Sequence, residues 1–255
     1  MDLGLRGRVA IVTGSSRGIG KAIASSLADE GARLVINARG AEALQTVADD
    51  LAARGTDVLA VPADVTTAEG CQEVFERTLA RFGQVDILVN NAGGGAAASI
   101  QAPESEWQDA IDLTFWSALR MTRLVVPVMQ RQRSGAIIMI ASIYGRELGG
   151  RLGYQVVKSA EISLAKGLAR ELAPDNIRVL SVAPGSILFP GGGWWRRQQD
   201  DPEAMADFVR REMPLGRFGA PEEVANVVTF LCSERASLVT GASVPVDGCQ
   251  GRSLI

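Results

Sequence analysis

Residues 9–20 read Val9-Ala10-Ile11-Val12-Thr13-Gly14-Ser15-Ser16-Arg17-Gly18-Ile19-Gly20, and this stretch decides the fold. An unbroken apolar run at 9–12 predicts a strand buried on both faces, and Ile19, Ile23 and Leu27 then recur at helical spacing. Gly14, Gly18 and Gly20 fall where the strand must turn into the helix. Glycines there permit a sharp turn, let backbone approach a pyrophosphate and let helix pack close on strand, while the helix start offers free amides and a positive dipole end. Taken alone, such a turn serves equally well as a plain strand-to-helix connection.

Outward from this turn the pattern repeats. Further strands are expected at 34–37, 58–62, 87–90, 136–140 and 178–182, with a late one at 243–246, each nearly continuous in apolar residues. Longer stretches at helical spacing lie between them. The fold class is therefore α/β: one Rossmann-type domain over 1–255, a doubly wound parallel sheet of about seven strands with helices on both faces. In 104–131, Trp107, Ile111, Phe115 and Leu119 recur every four residues and predict the stripe that meets the sheet, with Pro127 ending or kinking the helix late. A second long helix is expected from about 153 to 173, with Ile162, Ala165, Leu168, Ala169 and Leu172 on its packed face and Pro174 terminating it. The run Phe189-Pro190-Gly191-Gly192-Gly193-Trp194-Trp195-Arg196-Arg197 reads as a flexible insertion.

Composition narrows the chemistry. With 255 residues, 47% hydrophobic, the chain can bury one continuous core. A net charge of −3 and no basic track argue against a nucleic-acid partner. No apolar stretch is long enough to span a bilayer, and the charged N-terminus is unlike a signal peptide, so no membrane partner is expected. Cys71, Cys232 and Cys249 are widely spaced and suggest neither disulfides nor a metal site, which suits a reducing, cytoplasmic setting. The chain has no histidine, which removes Ser-His-Asp hydrolysis, His-ligated metals and imidazole acid/base chemistry together. Proton transfer must use Tyr, Lys, Cys or carboxylates.

Tyr154 and Lys158 stand four apart at the start of the second long helix, so both project from one face toward the strand ends. A neighbouring ammonium favours a phenolate, which makes the pair a usable proton shuttle, though such a pair is also ordinary helix surface. Ser142 follows the fifth strand, twelve residues before Tyr154, whereas Ser134 reads as a turn residue. After the second strand the sequence is Asn37-Ala38-Arg39, where an NAD enzyme would carry an acid for the ribose hydroxyls. Arg39 and Arg17 can instead pair a 2′-phosphate by bidentate hydrogen bonds, which favours NADP(H); either alone is also a common surface charge.

Thr13-Gly14-xxx-Gly18-x-Gly20, Asn90-Asn91-Ala92-Gly93, Tyr154-xxx-Lys158 and Pro184-Gly185, in this order over almost the whole chain, resemble the short-chain dehydrogenase/reductase family, in its 3-oxoacyl-ACP-reductase-like or carbonyl reductase form. The resemblance implies hydride transfer between NADP(H) and a ketone or secondary alcohol, with Tyr154 as proton donor, Lys158 on the tyrosine and the nicotinamide ribose, and Ser142 on the substrate oxygen. It implies cofactor contacts from Gly14, Ser16, Arg17, Gly18, Ile19, Gly20, Arg39, Asp64, Val65, Asn91, Ala92, Gly93, Tyr154, Lys158, Pro184, Gly185 and Ile187. Asp64 would meet the adenine, or else cap the helix that starts near residue 66 or 67; a structural part is favoured for Asn91.

Two departures from the family pattern stand out. The helical position seven residues after Trp107, where the family carries an Asn supporting a proton relay to the lysine, is Thr114, whose hydroxyl can bind the same water or return to its own helix carbonyl. Phe189 stands where relatives carry a Thr for the nicotinamide carboxamide, leaving the Ile187 backbone for that part. The resemblance further implies a homotetramer, a dimer of dimers through the fourth and fifth helices, with Val125, Val126 and Met129 on that face. It places a substrate lid at about 189–213, hinged at Gly191, Gly192 and Gly193 and faced by Trp194 and Trp195, with Ile143, Tyr144 and Leu148 opposite. Such a lining suits a bulky hydrophobic ketone or acyl chain. The alternatives are an NAD-dependent secondary-alcohol dehydrogenase and a nucleotide-binding protein with little turnover.

Overall fold

β1 (Val9–Thr13) is buried along its whole length and pairs in parallel with β2 (Arg33–Ala38) on one side and β4 (Ile87–Asn90) on the other. With β3 (Val58–Pro62), β5 (Gly135–Ile140), β6 (Ile177–Pro184) and β7 (Ser243–Val246) it forms a seven-stranded parallel sheet in the order β3-β2-β1-β4-β5-β6-β7. The computed structural model describes residues 2–94 and 97–254, so the expected span of 1–255 begins and ends just outside the described residues. The strands fall within one or two residues of the sequence reading. The order reverses between β1 and β4, and there the chains leaving the strand ends diverge and open a crevice.

Successive strand residues alternate between two apolar layers. Ala10, Val12, Leu34 and Ile36 pack with Ile23 and Leu27 of α1 (Gly18–Asp29), Leu44 and Leu51 of α2 (Ala41–Ala53) and Val224 and Val228 of α9 (Pro221–Cys232). Ile11, Val35, Leu88 and Ile137 face the other way, onto Cys71 and Val74 of α3 (Ala68–Phe82), Met121 and Val125 of α5 (Ser117–Gln132) and Ala165 of α6 (Leu152–Leu172). The sheet thus has helices on both faces, as a Rossmann-type fold requires.

Three features differ from the sequence reading. The expected helix over 104–131 is α4 (Glu104–Ala110), a π-helical turn over Ile111–Trp116, and α5. The wider turn rotates the packed face. Ala110, Thr114, Ala118, Met121 and Val125 are buried, while Trp107, Ile111, Phe115 and Leu119 are only half-buried, and α5 runs through Pro127 to Gln132. Val125 and Met129, expected on an intersubunit face, are fully buried against this chain's own sheet.

On α6 the buried stripe is Val157, Lys158, Glu161, Ala165, Ala169 and Leu172, so two charged residues sit in it, while Ile162 and Leu168 are half-buried. The stretch 189–197 read as a flexible insertion runs into a helix, α7 (Gly193–Asp200), and α8 (Pro202–Glu212) follows it, the Asp201 carboxylate capping α8 by accepting from the Ala204 amide at 2.9 Å. Trp194 stacks on Phe208 with centroids 4.6 Å apart and lies 5.5 Å from Phe218. No helix among the described residues is long and apolar enough to cross a membrane.

Candidate active site

The crevice is built from the ends of β1 and β4. Thr13 closes β1, and its hydroxyl accepts from the backbone amides of Asn91 and Ala92, each at 3.0 Å. The Asn91 side chain donates to the carbonyls of Thr13 at 2.9 Å and Gly14 at 3.0 Å. Asn91 therefore ties the end of β4 to the glycine turn, the structural part expected of it. Ser15 is locked to Asn37 by reciprocal bonds of 2.9 and 3.2 Å, and the Asn37 amide donates to Val61 and Ala63, so three strand ends are fixed together.

Gly14 and Gly18 have positive φ, and a side chain at Gly20 would begin 2.4 Å from both Asn91 Nδ2 and the Gly14 carbonyl oxygen. Only glycine permits this approach. α1 starts there with no capping side chain. Its first-turn amides and the bare backbone fit a diphosphate. Ser16 and Ile19 are half-buried in the turn, while Arg17 and Arg39 are exposed at its outer edge, Arg17 donating to the Gly191 carbonyl at 3.4 Å. Phe189 lies over the turn: a side chain added at Gly18 would begin 2.6 Å from its ring.

After β3, Asp64 is half-buried and its carboxylate accepts from the Thr66 amide at 3.0 Å, while Thr67 caps α3 by accepting from Gly70 at 3.0 Å. Asp64 is thus not the cap; Val65 beside it is buried. Beyond β6, the amide of Gly185 donates to Val246 at 3.1 Å and a side chain there would begin 2.7 Å from Gln250 Oε1, which holds Pro184-Gly185 against the chain end. Ile187 is buried and bridged to Gly219.

Ser142 leaves β5 in extended conformation and caps the short turn Ile143–Gly145, its oxygen accepting from the Tyr144 amide at 3.2 Å. Tyr154 lies half-buried in the first turn of α6, with Lys158 Nζ 5.8 Å from its ring centroid. Lys158 is 4% exposed and donates to the Ile140 carbonyl at 2.7 Å and to Glu161 Oε2 at 2.8 Å. Burial pulls the pKa of Lys158 down, but the Glu161 carboxylate and Tyr154 outweigh it, and the ammonium is held more firmly than in water. Burial in turn pushes the Glu161 carboxyl up to about 7, against the pull of Lys158.

A side chain at Gly93 would begin 3.1 Å from Lys158 Nζ and 3.7 Å from Thr114 Oγ1, so these two groups approach one bare patch of backbone. Thr114 is fully buried and its hydroxyl has no partner among the described residues; it does not return to its own helix, whereas Ser117 donates to the Leu113 carbonyl at 2.6 Å. Thr13 and Ser15 stand in the glycine motif quoted from the sequence but are given no part there, and Glu161 is not singled out at all. For Glu161 a signal existed, since it stands three residues from Lys158 in the stripe that continues to Ala165 and Ala169.

A family model described as Enoyl-(Acyl carrier protein) reductase matches residues 14–249. The 3-oxoacyl-[acyl-carrier-protein] reductase of Staphylococcus aureus is 37% identical, covering 94% of this chain and 96% of its own, and that of Escherichia coli is 36% identical, covering 96% and 98%. Among solved structures, the L-sorbose reductase of Gluconobacter frateurii complexed with NADPH and L-sorbose superposes with a TM-score of 0.94 at 40% identity over 100% of both chains. A 7α-hydroxysteroid dehydrogenase complexed with NADH and 7-oxo glycochenodeoxycholic acid superposes at 0.91 with 32% identity, covering 100% of this chain and 98% of its own. With one fold and one set of motifs matched along nearly its whole length, this chain belongs to the short-chain dehydrogenase/reductase family and is 3-oxoacyl-ACP-reductase-like within it.

Proposed function

We propose that this oxidoreductase uses NADP(H) to interconvert a ketone and a secondary alcohol on a bulky hydrophobic or acyl-bearing substrate. The observation that carries the reading is the buried, charged Lys158 facing Tyr154, with Ser142 at the end of the neighbouring strand. When bound, the cofactor supplies or accepts the hydride at the carbonyl carbon. Ser142 already accepts from the Tyr144 amide, so its own proton is free to donate to a substrate oxygen. Tyr154 gives its proton to that oxygen as it gains charge, and the Lys158 ammonium stabilises the negative charge left on the phenol oxygen.

The turn of Gly14, Ser16, Gly18, Ile19 and Gly20 would hold the diphosphate, and Asp64 with Val65 the adenine. Asn91, Ala92 and Gly93 would line the ribose side, and Pro184, Gly185 and Ile187 the far side of the nicotinamide. One solved relative holds NADPH and another NADH, so the choice of NADP(H) is argued from Arg17 and Arg39, both exposed beside the turn. Leu148, between Ser142 and Tyr154, is 87% exposed and supports an apolar substrate that would cover it. The segment 189–213 is the proposed lid, cytoplasm the proposed setting, and a homotetramer the proposed assembly.

Absorbance of the reduced nicotinamide, followed with a graded panel of ketones and both cofactors, tests the reading. Sustained NADPH oxidation that disappears in Tyr154→Phe is expected. Equal kcat/KM with NADH would remove the cofactor assignment, and tight NADPH binding with no turnover on any ketone would leave a nucleotide-binding protein. A monomeric mass by light scattering at micromolar concentration would remove the tetramer.

A further inference from the structure

The Lys158 ammonium is buried at 4% exposure, and the carboxylate that meets it is none of the motif residues. Glu161, one turn further along α6, has 0% exposure, and only one of its two carboxylate oxygens is engaged: Oε2 with Lys158 at 2.8 Å, Oε1 with nothing among the described residues. It sits in a stripe that otherwise continues as Val157, Ala165 and Ala169, where an apolar side chain would cost less. A carboxylate kept there at such cost points to what it does for its partner.

We propose that Glu161 is a positioning residue for the hydride-transfer reaction: with the Ile140 carbonyl it takes two of the three ammonium protons of Lys158, keeps that buried ammonium charged, and leaves the third proton aimed into the space between Tyr154, Thr114 and Gly93. This rests on the reading of the chain as a reductase. Without a counter-charge, burial at this depth discharges a lysine. Lys158 is the charge that acts on Glu161, and Tyr154 acts on Lys158 in turn. Asp109 on α4, Asp112 on the π turn, Tyr144 after β5 and Arg178 on β6 belong to elements packed against α6, and none of them acts on the Glu161 carboxyl. Among the described residues, Oε1 of Glu161 and the Thr114 hydroxyl are buried without a bond of their own.

The chain has three lysines, Lys21, Lys158 and Lys166, so lysine-selective nitrogen-15 labelling gives three Nζ signals, that of Lys158 assigned by its loss in Lys158→Arg. In Glu161→Gln the Lys158 signal should titrate at least about one pH unit lower than in wild type, a measurement that needs neither cofactor nor turnover. In the ketone assay, kcat at neutral pH should fall at least about tenfold with ketone KM little changed, and the pH profile of kcat should lose its ionisation near neutrality. Should Glu161→Gln fail to fold, Glu161→Asp, which keeps the charge but withdraws it by one methylene, is read in the same two assays with the same expected directions. An unchanged Lys158 titration in the folded variant overturns the proposal. If the wild type turns over no ketone, the reductase reading fails, and the lysine titration still decides whether Glu161 governs Lys158.

Discussion

A methyl group on Gly20 would begin 2.4 Å from both the Asn91 amide nitrogen and the Gly14 carbonyl oxygen, so Gly20→Ala must push apart the two chains that frame the crevice. We expect it to cost about 1–3 kcal/mol in thermal or urea unfolding and to weaken NADPH binding as well. Gly167→Ala, on the exposed face of α6 where nothing lies within 4 Å, should leave NADPH binding as it was without loss of stability, and serves as control. Arg39→Ala should lose on the order of 1.5–3 kcal/mol of NADPH binding in a fluorescence titration while NADH binding stays as it was. At this scale the sequence reading picked out Tyr154, Lys158 and Ser142, because motif spacing on a helix start and a strand end sets where those side chains point. Glu161 escaped because its complete burial beside Lys158 is something spacing alone does not reveal. For Thr114 the sequence left two fates open, binding a water or returning to its own helix carbonyl, and among the described residues its hydroxyl does not make the helix bond.

Between residues and the whole molecule, the strands were legible nearly to the residue because burial on both faces writes an unbroken apolar run. The helices were less so. The π turn at Ile111–Trp116 inserts extra width that a fixed spacing of four cannot register, and it carried the packed face from Trp107 and Phe115 to Ala110 and Thr114. The three consecutive glycines before Trp194 suggested a flexible insertion, yet the aromatic residues that pack on α7 lie farther along the chain, at Phe208 on α8 and at Phe218 beyond it. Trp194 is thus an anchor of this segment, with Arg197 4.8 Å over its ring, and Trp195 is half-buried beside it. Trp194→Ala should lower stability by about 1–2 kcal/mol and raise ketone KM, whereas Trp195→Ala should raise KM for the larger ketones with little change in melting temperature.

For the molecule as a whole, two carboxyls set opposite slopes on stability against pH. Glu161 is raised in the folded state from 4.5 to about 7, so its contribution is fully present below about 4.5 and is lost as pH rises through about 7. Glu223 is lowered to about 2 by the Arg217 guanidinium, at 2.6 and 2.8 Å, and by the Ala220 amide, so its contribution is present above about 4.5 and lost as pH falls toward 2. Urea unfolding measured across pH should therefore decline between about pH 5 and 7, a slope that flattens in Glu161→Gln, while Glu223→Gln flattens only a shallow acid limb, because that pair is exposed and screened. The sheet order carries a further consequence, for the chain as it is made. β1 lies inside the sheet and is synthesised first, but its second neighbour, β4, comes only at Ile87–Asn90, after three complete helices and two strands have emerged. On the ribosome, β1 to β3 can pair and be covered while one edge of β1 still lacks its partner. For that interval the nascent protein exposes the hydrogen-bonding edge of what becomes its most protected strand, and a pause in translation before residue 87 is where aggregation of unfinished chains should begin.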